Sequence, residues 1–168
     1  MKKIGIISDT HSFLDPKIIK YFDTCDEIWH AGDFGFNKKI KHFIETYDVK
    51  GVYGNIDGQE IRKHFPKTQK FTCEKLKVLI THIGGYPNRY KKDVEHEIKI
   101  YNPDLYICGH SHILKIMYDE KYKLIHINPG AAGKEGFHKV RTIVLLNIDG
   151  TDISNVRVIE LGKRTNLT

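Results

Sequence analysis

The chain has 168 residues, of which 40% are hydrophobic and 29% are charged, and its formal net charge is +6. This composition is typical of one globular domain, which we expect to cover residues 1–168. No apolar stretch is long enough to cross a bilayer, and the apolar run near Met1 is too short for a signal peptide. The positive charge admits nucleic acid as a partner, but the lysines and arginines are scattered, which favours ordinary solvated faces.

The three cysteines bear on the compartment. They are widely separated, odd in number and contain no Cys-x-x-Cys pair: Cys25, Cys73 and Cys108. This usage argues against a disulfide framework and a structural zinc knuckle, and it fits a reducing environment. We therefore expect a cytoplasmic protein without a membrane partner.

The first half of the chain alternates short β-rich runs with amphipathic stretches, which is the pattern of strand–helix–strand units with parallel pairing. Strands are predicted over residues 3–8, 27–30 and 49–53, with helices over 16–21 and 38–46. Ligands of open α/β sheets collect at the carboxyl ends of the strands. The polar residues that follow these strands are therefore the first candidates for a functional site.

From residue 69 onward the pattern is predicted to be mostly antiparallel β. Strands are expected over residues 69–73, 77–81, 105–108, 114–119, 122–127, 142–148 and 155–161, with one helix over 90–100. Glu120-Lys121 and Asp149-Gly150 are predicted hairpin turns. No internal repeat and no linker-like tract divides the chain.

Seven polar side chains with metal-binding chemistry lie at the ends of these apolar runs. They are Asp9, His11, Asp33, Asn55, His82, His110 and His112. In Asp9-x-His11 the chain leaves a strand still extended, so both side chains point to the same side. Asp33, in the middle of the order, can bridge two cations while the other residues cap them separately. The set predicts a two-metal hydrolytic centre.

The order of these motifs resembles a known family. The run Asp-x-His, Gly-Asp, Gly-Asn, His and Gly-His-x-His is similar to that of the calcineurin-like metallophosphoesterases. Ser8-Asp9-Thr10-His11, His30-Ala-Gly-Asp33, Gly54-Asn55-x-Asp57 and Asn128-Pro129-Gly130 resemble its small bacterial and archaeal phosphodiesterase branch. The resemblance covers nearly the whole chain. It implies a fold of the α/β (α+β) class, a four-layer α/β/β/α sandwich of two mixed β-sheets flanked by helices.

Carried over residue by residue, the resemblance also implies a division of the ligands. Asp9, His11 and His112 would hold one metal, and Asn55, His82 and His110 would hold the other, with Asp33 bridging them. The usual metals would be Mn²⁺, Ni²⁺, Fe or Zn²⁺, among which mixed nitrogen and oxygen ligands do not choose. Two such cations would activate a bridging water as the nucleophile and orient the phosphoryl oxygens of a phosphodiester substrate.

The chain departs from the family at Ile56. Many members have a histidine there, and an isoleucine cannot supply the general-acid help that is worth roughly 10²- to 10⁴-fold. We therefore expect activity on phosphodiesters with good leaving groups, such as aryl esters, and weak activity on alkyl phosphomonoesters. Two catalytic candidates remain: Asp57, which can orient a metal-bound water or act only as a turn carboxylate, and His138, a possible replacement proton donor.

A second departure follows His82, where the family often has another histidine and this chain has Ile83-Gly84. The loop that comes next contains Arg89 and Tyr90, which suit a substrate phosphate and an aromatic ring. The same loop can equally be a surface segment that caps the following helix. Arg89 and Tyr90 are thus the candidate substrate-binding residues.

Other functions remain open. The retromer subunit with this fold resembles these enzymes and acts as a protein-interaction scaffold after losing ligands, whereas this chain retains all seven, which favours catalysis. A nuclease or a nucleotide phosphatase are the alternatives within enzymes, and a homo-oligomer is compatible with all of these readings.

Overall fold

The computed structural model describes residues 1–165, so the last three residues of the expected domain lie outside the described part of the chain. Within this part there are ten strands and four helices. The strands are β1 (Lys2–Ile7), β2 (Glu27–His30), β3 (Val49–Gly51), β4 (Thr68–Cys73), β5 (Leu76–Thr81), β6 (Leu105–Ile107), β7 (Lys115–Asp119), β8 (Leu124–Asn128), β9 (Val140–Asp149) and β10 (Asp152–Lys163). The helices are α1 (Pro16–Phe22), α2 (Lys38–Thr46), α3 (Gln59–Arg62) and α4 (Lys92–Tyr101).

The strands form two mixed five-stranded sheets. The first has the order β10-β9-β1-β2-β3, in which β1, β2 and β3 run parallel and β9 and β10 are antiparallel to their neighbours. The second has the order β4-β5-β6-β8-β7, in which β5, β6 and β8 run parallel between two antiparallel edge strands. The predicted pair of mixed sheets flanked by helices is confirmed.

The main core lies between the two sheets. Ile6, Trp29 and Val144 of the first sheet belong to the same buried apolar cluster as Ile80 and Ile107 of the second. Separate apolar clusters lie on the outer faces, one involving α1 and α2 on the first sheet and one involving α4 on the second. Burying both faces of each sheet in this way produces the four layers.

Local chemistry fixes the ends of the helices. Asp15 accepts a backbone N–H of the first turn of α1 at 2.9 Å, and Asn37 accepts two from the first turn of α2 at 3.0 Å. These are ordinary capping residues, because their side-chain oxygens satisfy N–H groups that have no partner within the helix. Helix α4 ends at Asn102, which has a left-handed conformation and is followed by Pro103.

A buried carboxylate ties the first three strands together at the far end of the sheet from the polar motifs. Glu27, at the start of β2, accepts hydrogen bonds from Trp29 Nε1 at 3.0 Å and from Lys50 Nζ of β3 at 2.6 Å. Lys2 of β1 pairs with its other oxygen. Burial opposes the ionisation of Glu27, but these three donors outweigh it and lower the pKa of the carboxyl.

Two features differ from the sequence-based expectation. Helix α3 was not predicted, because its four residues are too few to display a helical period. The second half was predicted to be mostly antiparallel, yet β6 pairs in parallel with both β5 and β8. The chain leaves β6, forms the edge strand β7 and returns as β8 between them, so a local hairpin creates a parallel neighbour for β6.

None of the helices in residues 1–165 is both long and apolar enough to span a membrane.

Candidate metal centre

The strand ends bring the predicted ligand residues to one place. Asp9 and His11 follow β1, Asp33 follows β2, Asn55 follows β3, His82 follows β5, and His110 and His112 follow β6. Each of these five strands has a parallel neighbour, so their carboxyl ends point in common directions within each sheet. The loops at those ends therefore meet where the edges of the two packed sheets come together.

Six of the residues fall into two groups of potential metal ligands. One is Asp9, His11 and His112, and the other is Asp33, His82 and His110; in each group the ligand atoms lie within 4.8 Å of one another. The seventh residue, Asn55, adjoins the second group, because its Oδ1 lies 3.0 Å from His82 Nε2. This grouping agrees with the division that the family resemblance implies.

Asp33 lies between the groups. Its Oδ2 is 3.2 Å from His82 Nε2 and 3.7 Å from His11 Nε2, so one oxygen faces a member of each group. Its Oδ1 accepts the backbone N–H of Ile56 at 3.0 Å, which fixes the orientation of the carboxylate. One oxygen of this carboxylate is thus held by the backbone, and the other is directed at one imidazole of each group.

Asp9 is held in a similar way. Its Oδ2 accepts Ser8 Oγ at 2.5 Å and the backbone N–H of His110 at 3.1 Å. Its Oδ1 is buried without a hydrogen-bond partner among the described residues, and the same is true of His11 Nε2. Although His112 Nε2 approaches this oxygen to 3.2 Å, the contact does not meet hydrogen-bond geometry. Buried polar atoms normally have partners, so these two atoms without hydrogen bonds fit the role of metal ligands.

The imidazole of His82 is fixed by a backbone carbonyl group on its other nitrogen. His82 Nδ1 lies 2.7 Å from the carbonyl oxygen of Ala31, so it carries the proton and leaves the Nε2 lone pair facing Asp33. Burial opposes a charge on His82, but Asp33 and Asp9 outweigh it and raise the pKa of His82. Burial, followed by the neighbouring His82, lowers the pKa of His110 and so favours the neutral imidazole that binds metals.

His138 contacts a second imidazole of the ligand set, that of His112. Its Nε2 lies 3.0 Å from the carbonyl oxygen of Gly133, and its Nδ1 lies 3.3 Å from Nδ1 of His112. Burial is the main cause that lowers the pKa of His138 and keeps it neutral. With its single proton donated to Gly133, His138 accepts the proton of His112 Nδ1 and leaves His112 Nε2 free as a ligand. These contacts favour orientation of His112 over the proton donation anticipated for His138.

Asp57 ties two ligand-bearing loops together. The carboxylate is buried and accepts backbone N–H groups from Gly54 at 2.8 Å, Gly35 at 2.8 Å and Phe34 at 3.2 Å. Phe34 and Gly35 come directly after Asp33, and Gly54 comes directly before Asn55. Of the two roles considered for Asp57, these bonds support the turn carboxylate.

The backbone is strained at these loops. Asp9, His11, Asp33, His110 and His112 all have φ between 45° and 67°, in the left-handed region that non-glycine residues rarely occupy. Such conformations cost of the order of 1 kcal/mol or more each and concentrate at functional sites. Five of the seven predicted ligands share this feature, so the prediction of an extended backbone at Asp9-x-His11 is wrong.

Close packing explains two of the glycines in the motifs. A Cβ on Gly54 would lie 2.0 Å from Asp33 Oδ1, and a Cβ on Gly32, which has φ +94°, would lie 2.6 Å from the His82 ring. Distances this short are not tolerated by real side chains. The Gly-Asp and Gly-Asn pairs therefore let the two loops approach each other.

The candidate substrate-binding residues lie in the loop between β5 and α4. Arg89 is exposed, and Tyr90 packs against Tyr106, Tyr122 and His126 beside α4. The Tyr90 hydroxyl is buried, and burial raises the pKa of the phenol well above its ordinary value. The backbone partners of the ligands were not predicted, because a carbonyl acceptor such as that of Ala31 leaves no mark in the sequence.

Comparisons with known proteins show the family and the fold of the chain. The sequence matches the profile of the calcineurin-like phosphoesterase superfamily domain over residues 1–151, whereas no curated protein sequence matches the chain. Similar solved structures include Vps29 of Chaetomium thermophilum, with 19% identity and a TM-score of 0.74, covering 98% of this chain and 100% of that one.

Two further solved structures have a similar fold. Wild-type Vps29 of Entamoeba histolytica in complex with Zn²⁺ has 16% identity and a TM-score of 0.72, covering 97% of this chain and 99% of that one. An archaeal phosphodiesterase has 25% identity and a TM-score of 0.72, covering 95% and 99% respectively. With the profile matched over most of its length, the chain belongs to the calcineurin-like phosphoesterase superfamily.

Proposed function

We propose that the protein is a divalent-metal-dependent phosphodiesterase with a binuclear metal centre. The observation that carries the proposal is Asp33 Oδ2, a single carboxylate oxygen that faces His11 of one ligand group and His82 of the other. The similarity to an archaeal phosphodiesterase supports the same reaction class. The substrate is a phosphodiester, and the compartment is the cytoplasm.

Each cation would have its own ligands and share Asp33. Asp9, His11 and His112 would hold one ion, and Asn55, His82 and His110 the other, with Mn²⁺, Ni²⁺, Fe and Zn²⁺ all compatible with this donor set. When bound, the ions would supply Lewis acidity, an activated water and orientation for the phosphoryl oxygens.

The side chains around the centre restrict the substrate. Ile56 donates its backbone N–H to Asp33, while its side chain is 47% exposed and has no proton to give. His138 donates its proton in a hydrogen bond to the Gly133 carbonyl, and Asp57 accepts three backbone N–H groups, so neither is placed to protonate a leaving group. The proposed enzyme therefore depends on the acidity of the leaving group, and aryl phosphodiesters are its best simple substrates.

The test is hydrolysis of bis(p-nitrophenyl) phosphate by protein loaded with Mn²⁺, Ni²⁺ or Zn²⁺. We expect faster turnover of this diester than of alkyl phosphomonoesters, and Asp33→Asn should abolish turnover and lower the content of both metals. Asp152→Asn, at an exposed carboxylate in β10, is the matched control. If the protein were inactive with every metal, the phosphodiesterase proposal would be wrong. If Asp33→Asn kept its full content of both metals, Asp33 would not bridge them.

A protein-interaction scaffold is the second candidate, because the similar structures include Vps29 proteins. The presence of all seven ligand residues favours catalysis. A nuclease would show steep salt dependence of DNA or RNA binding, since binding releases condensed counterions. A nucleotide phosphatase would prefer phosphomonoesters in the assay above.

A further inference from the structure

A cavity of about 530 Å³ opens beside the second ligand group. Four segments line it: residues 53–55, 67–68, 81–83 and the start of α4 from Lys91 to Glu97. Because Asn55 and His82 belong both to this lining and to the candidate metal centre, the cavity and the centre are continuous. Its volume lies within the range of roughly 300 to 1,000 Å³ that is usual for small-molecule sites. We call this cavity the α4 pocket.

The walls of the α4 pocket suit a flat, mainly apolar group. Tyr53, Ile83 and Val94 contribute apolar surface. The guanidinium of Arg62 lies over the Tyr53 ring at 4.3 Å from its centroid, which holds the ring in place. A bare phosphate at the metal centre would leave this surface without a ligand group, so the pocket fits a substrate with a sizeable ester arm.

The rim of the pocket carries charged groups of both signs, and two of them are lysines without an ion-pair partner among the described residues. Lys67 and Lys91 are exposed, and within residues 1–165 neither ammonium has a carboxylate within 4.0 Å. Of the two carboxylates on the rim, Glu97 has a cationic partner, whereas Asp93, in the described part of the chain, accepts only a backbone N–H and keeps its charge. Glu97 pairs with Lys70 at 2.5 Å, and Asp93 accepts the backbone N–H of Val94 at 3.0 Å. The two lysines are therefore available for an anionic group on the ligand.

We propose that the α4 pocket binds the nucleoside arm of a phosphodiester substrate, with the base against Tyr53 and a second phosphate of the arm between Lys67 and Lys91. The ester phosphorus would then lie at the end of the pocket formed by Asn55 and His82. This inference rests on the proposed phosphodiesterase function and adds its substrate class: nucleotide esters that carry a phosphate besides the one under attack.

Binding in the absence of activity is the first test. Thymidine phosphorylated on both hydroxyls is titrated calorimetrically into the protein without added metal. We expect saturable binding that the double variant Lys67→Ala, Lys91→Ala weakens about tenfold or more, because two ammonium–phosphate contacts are lost. The control Lys20→Ala, Lys38→Ala removes the same charge from exposed positions of α1 and α2 and should bind as the unmodified protein does. Equal weakening by both double variants would overturn the pocket.

The second test uses two substrates with the same nitrophenolate leaving group. In one the other arm is ethyl, and in the other it is thymidine with a second phosphate. We expect a lower KM for the thymidine ester, and the ratio of the two KM values should fall about tenfold in the Lys67, Lys91 double variant. An unchanged ratio would overturn the pocket while leaving the phosphodiesterase intact. If the protein hydrolysed neither ester but still bound the nucleotide through the two lysines, the phosphodiesterase proposal would be wrong and the nucleotide-binding proposal would stand.

A short oligothymidylate as competitor separates a free nucleotide from the end of a nucleic acid strand. A mononucleotide should compete at least as well as the oligonucleotide, since the pocket holds one nucleoside. Competition by the oligonucleotide alone, with a steep dependence on salt, would replace the nucleotide ester by a nucleic acid substrate.

Discussion

Replacing Asp57 separates a structural role from a chemical one. The carboxylate accepts three backbone N–H groups, two of them fully buried, and hydrogen bonds to charged groups contribute roughly 1.5 to 3 kcal/mol each to stability. Bonds to the two oxygens of one carboxylate are not additive, so we expect Asp57→Ala to lower the free energy of unfolding by about 3 to 5 kcal/mol. Asp57→Asn keeps one acceptor oxygen and should lose roughly half of that.

The same change should loosen the metal centre, because the three N–H groups adjoin Asp33 and Asn55. Metal affinity should fall by about 10- to 100-fold, as it does when groups that orient ligands are removed. Urea unfolding and metal titration measure the two effects, and the exposed Asp152→Ala serves as the control, with a change within about 0.5 kcal/mol. If Asp57→Ala unfolded at the unmodified midpoint with normal metal affinity and only kcat fell, Asp57 would handle a proton or a water, and the reasoning would be refuted.

Three other predictions follow from contacts described above. His138→Ala should lower the affinity for the cation held by His112 by about 10- to 100-fold in a metal titration, and His138→Asn should restore part of that affinity. A fall in kcat at full metal occupancy would instead indicate that His138 transfers a proton. Gly32→Ala should destabilise by roughly 1 to 3 kcal/mol in urea unfolding and lower metal content by displacing the His82 ring, and unchanged values of both would contradict the close packing. Glu27→Gln should lower the free energy of unfolding by about 2 kcal/mol at neutral pH. Since folding lowers the pKa of Glu27, its contribution is present above the unfolded value of about 4.3 and is lost as the pH falls through the folded value, so the two proteins should converge in acid unfolding curves.

The sequence allowed the strands and the ligand set to be predicted because both leave local marks. The predicted strand over residues 27–30 and the helix over 38–46 have the bounds observed for β2 and α2, since apolar period and capping residues define them. The candidate ligands could be named because each polar motif follows such a strand closely in the sequence.

The remaining features depend on partners far apart in the chain. His138 meets His112 across 26 residues and Asp57 meets Phe34 across 23, and no local pattern encodes either meeting. The α4 pocket likewise combines residues from four separate segments. Strand β10 extends beyond the predicted residues 155–161 because its pairing with β9, and not its own largely exposed side chains, sets its length.

The left-handed backbone at five of the candidate ligand residues lowers the stability of the fold at the place where the metal-binding side chains lie. Glycine at Asp9, His11, Asp33, His110 or His112 would adopt the same conformation with less strain, so the backbone at each of these positions holds strain that glycine would relieve. Together the five positions represent several kcal/mol, at roughly 1 kcal/mol or more each, in a protein class whose total stability is about 5 to 15 kcal/mol. This strain is the energetic cost of placing five donor side chains at the proposed metal centre.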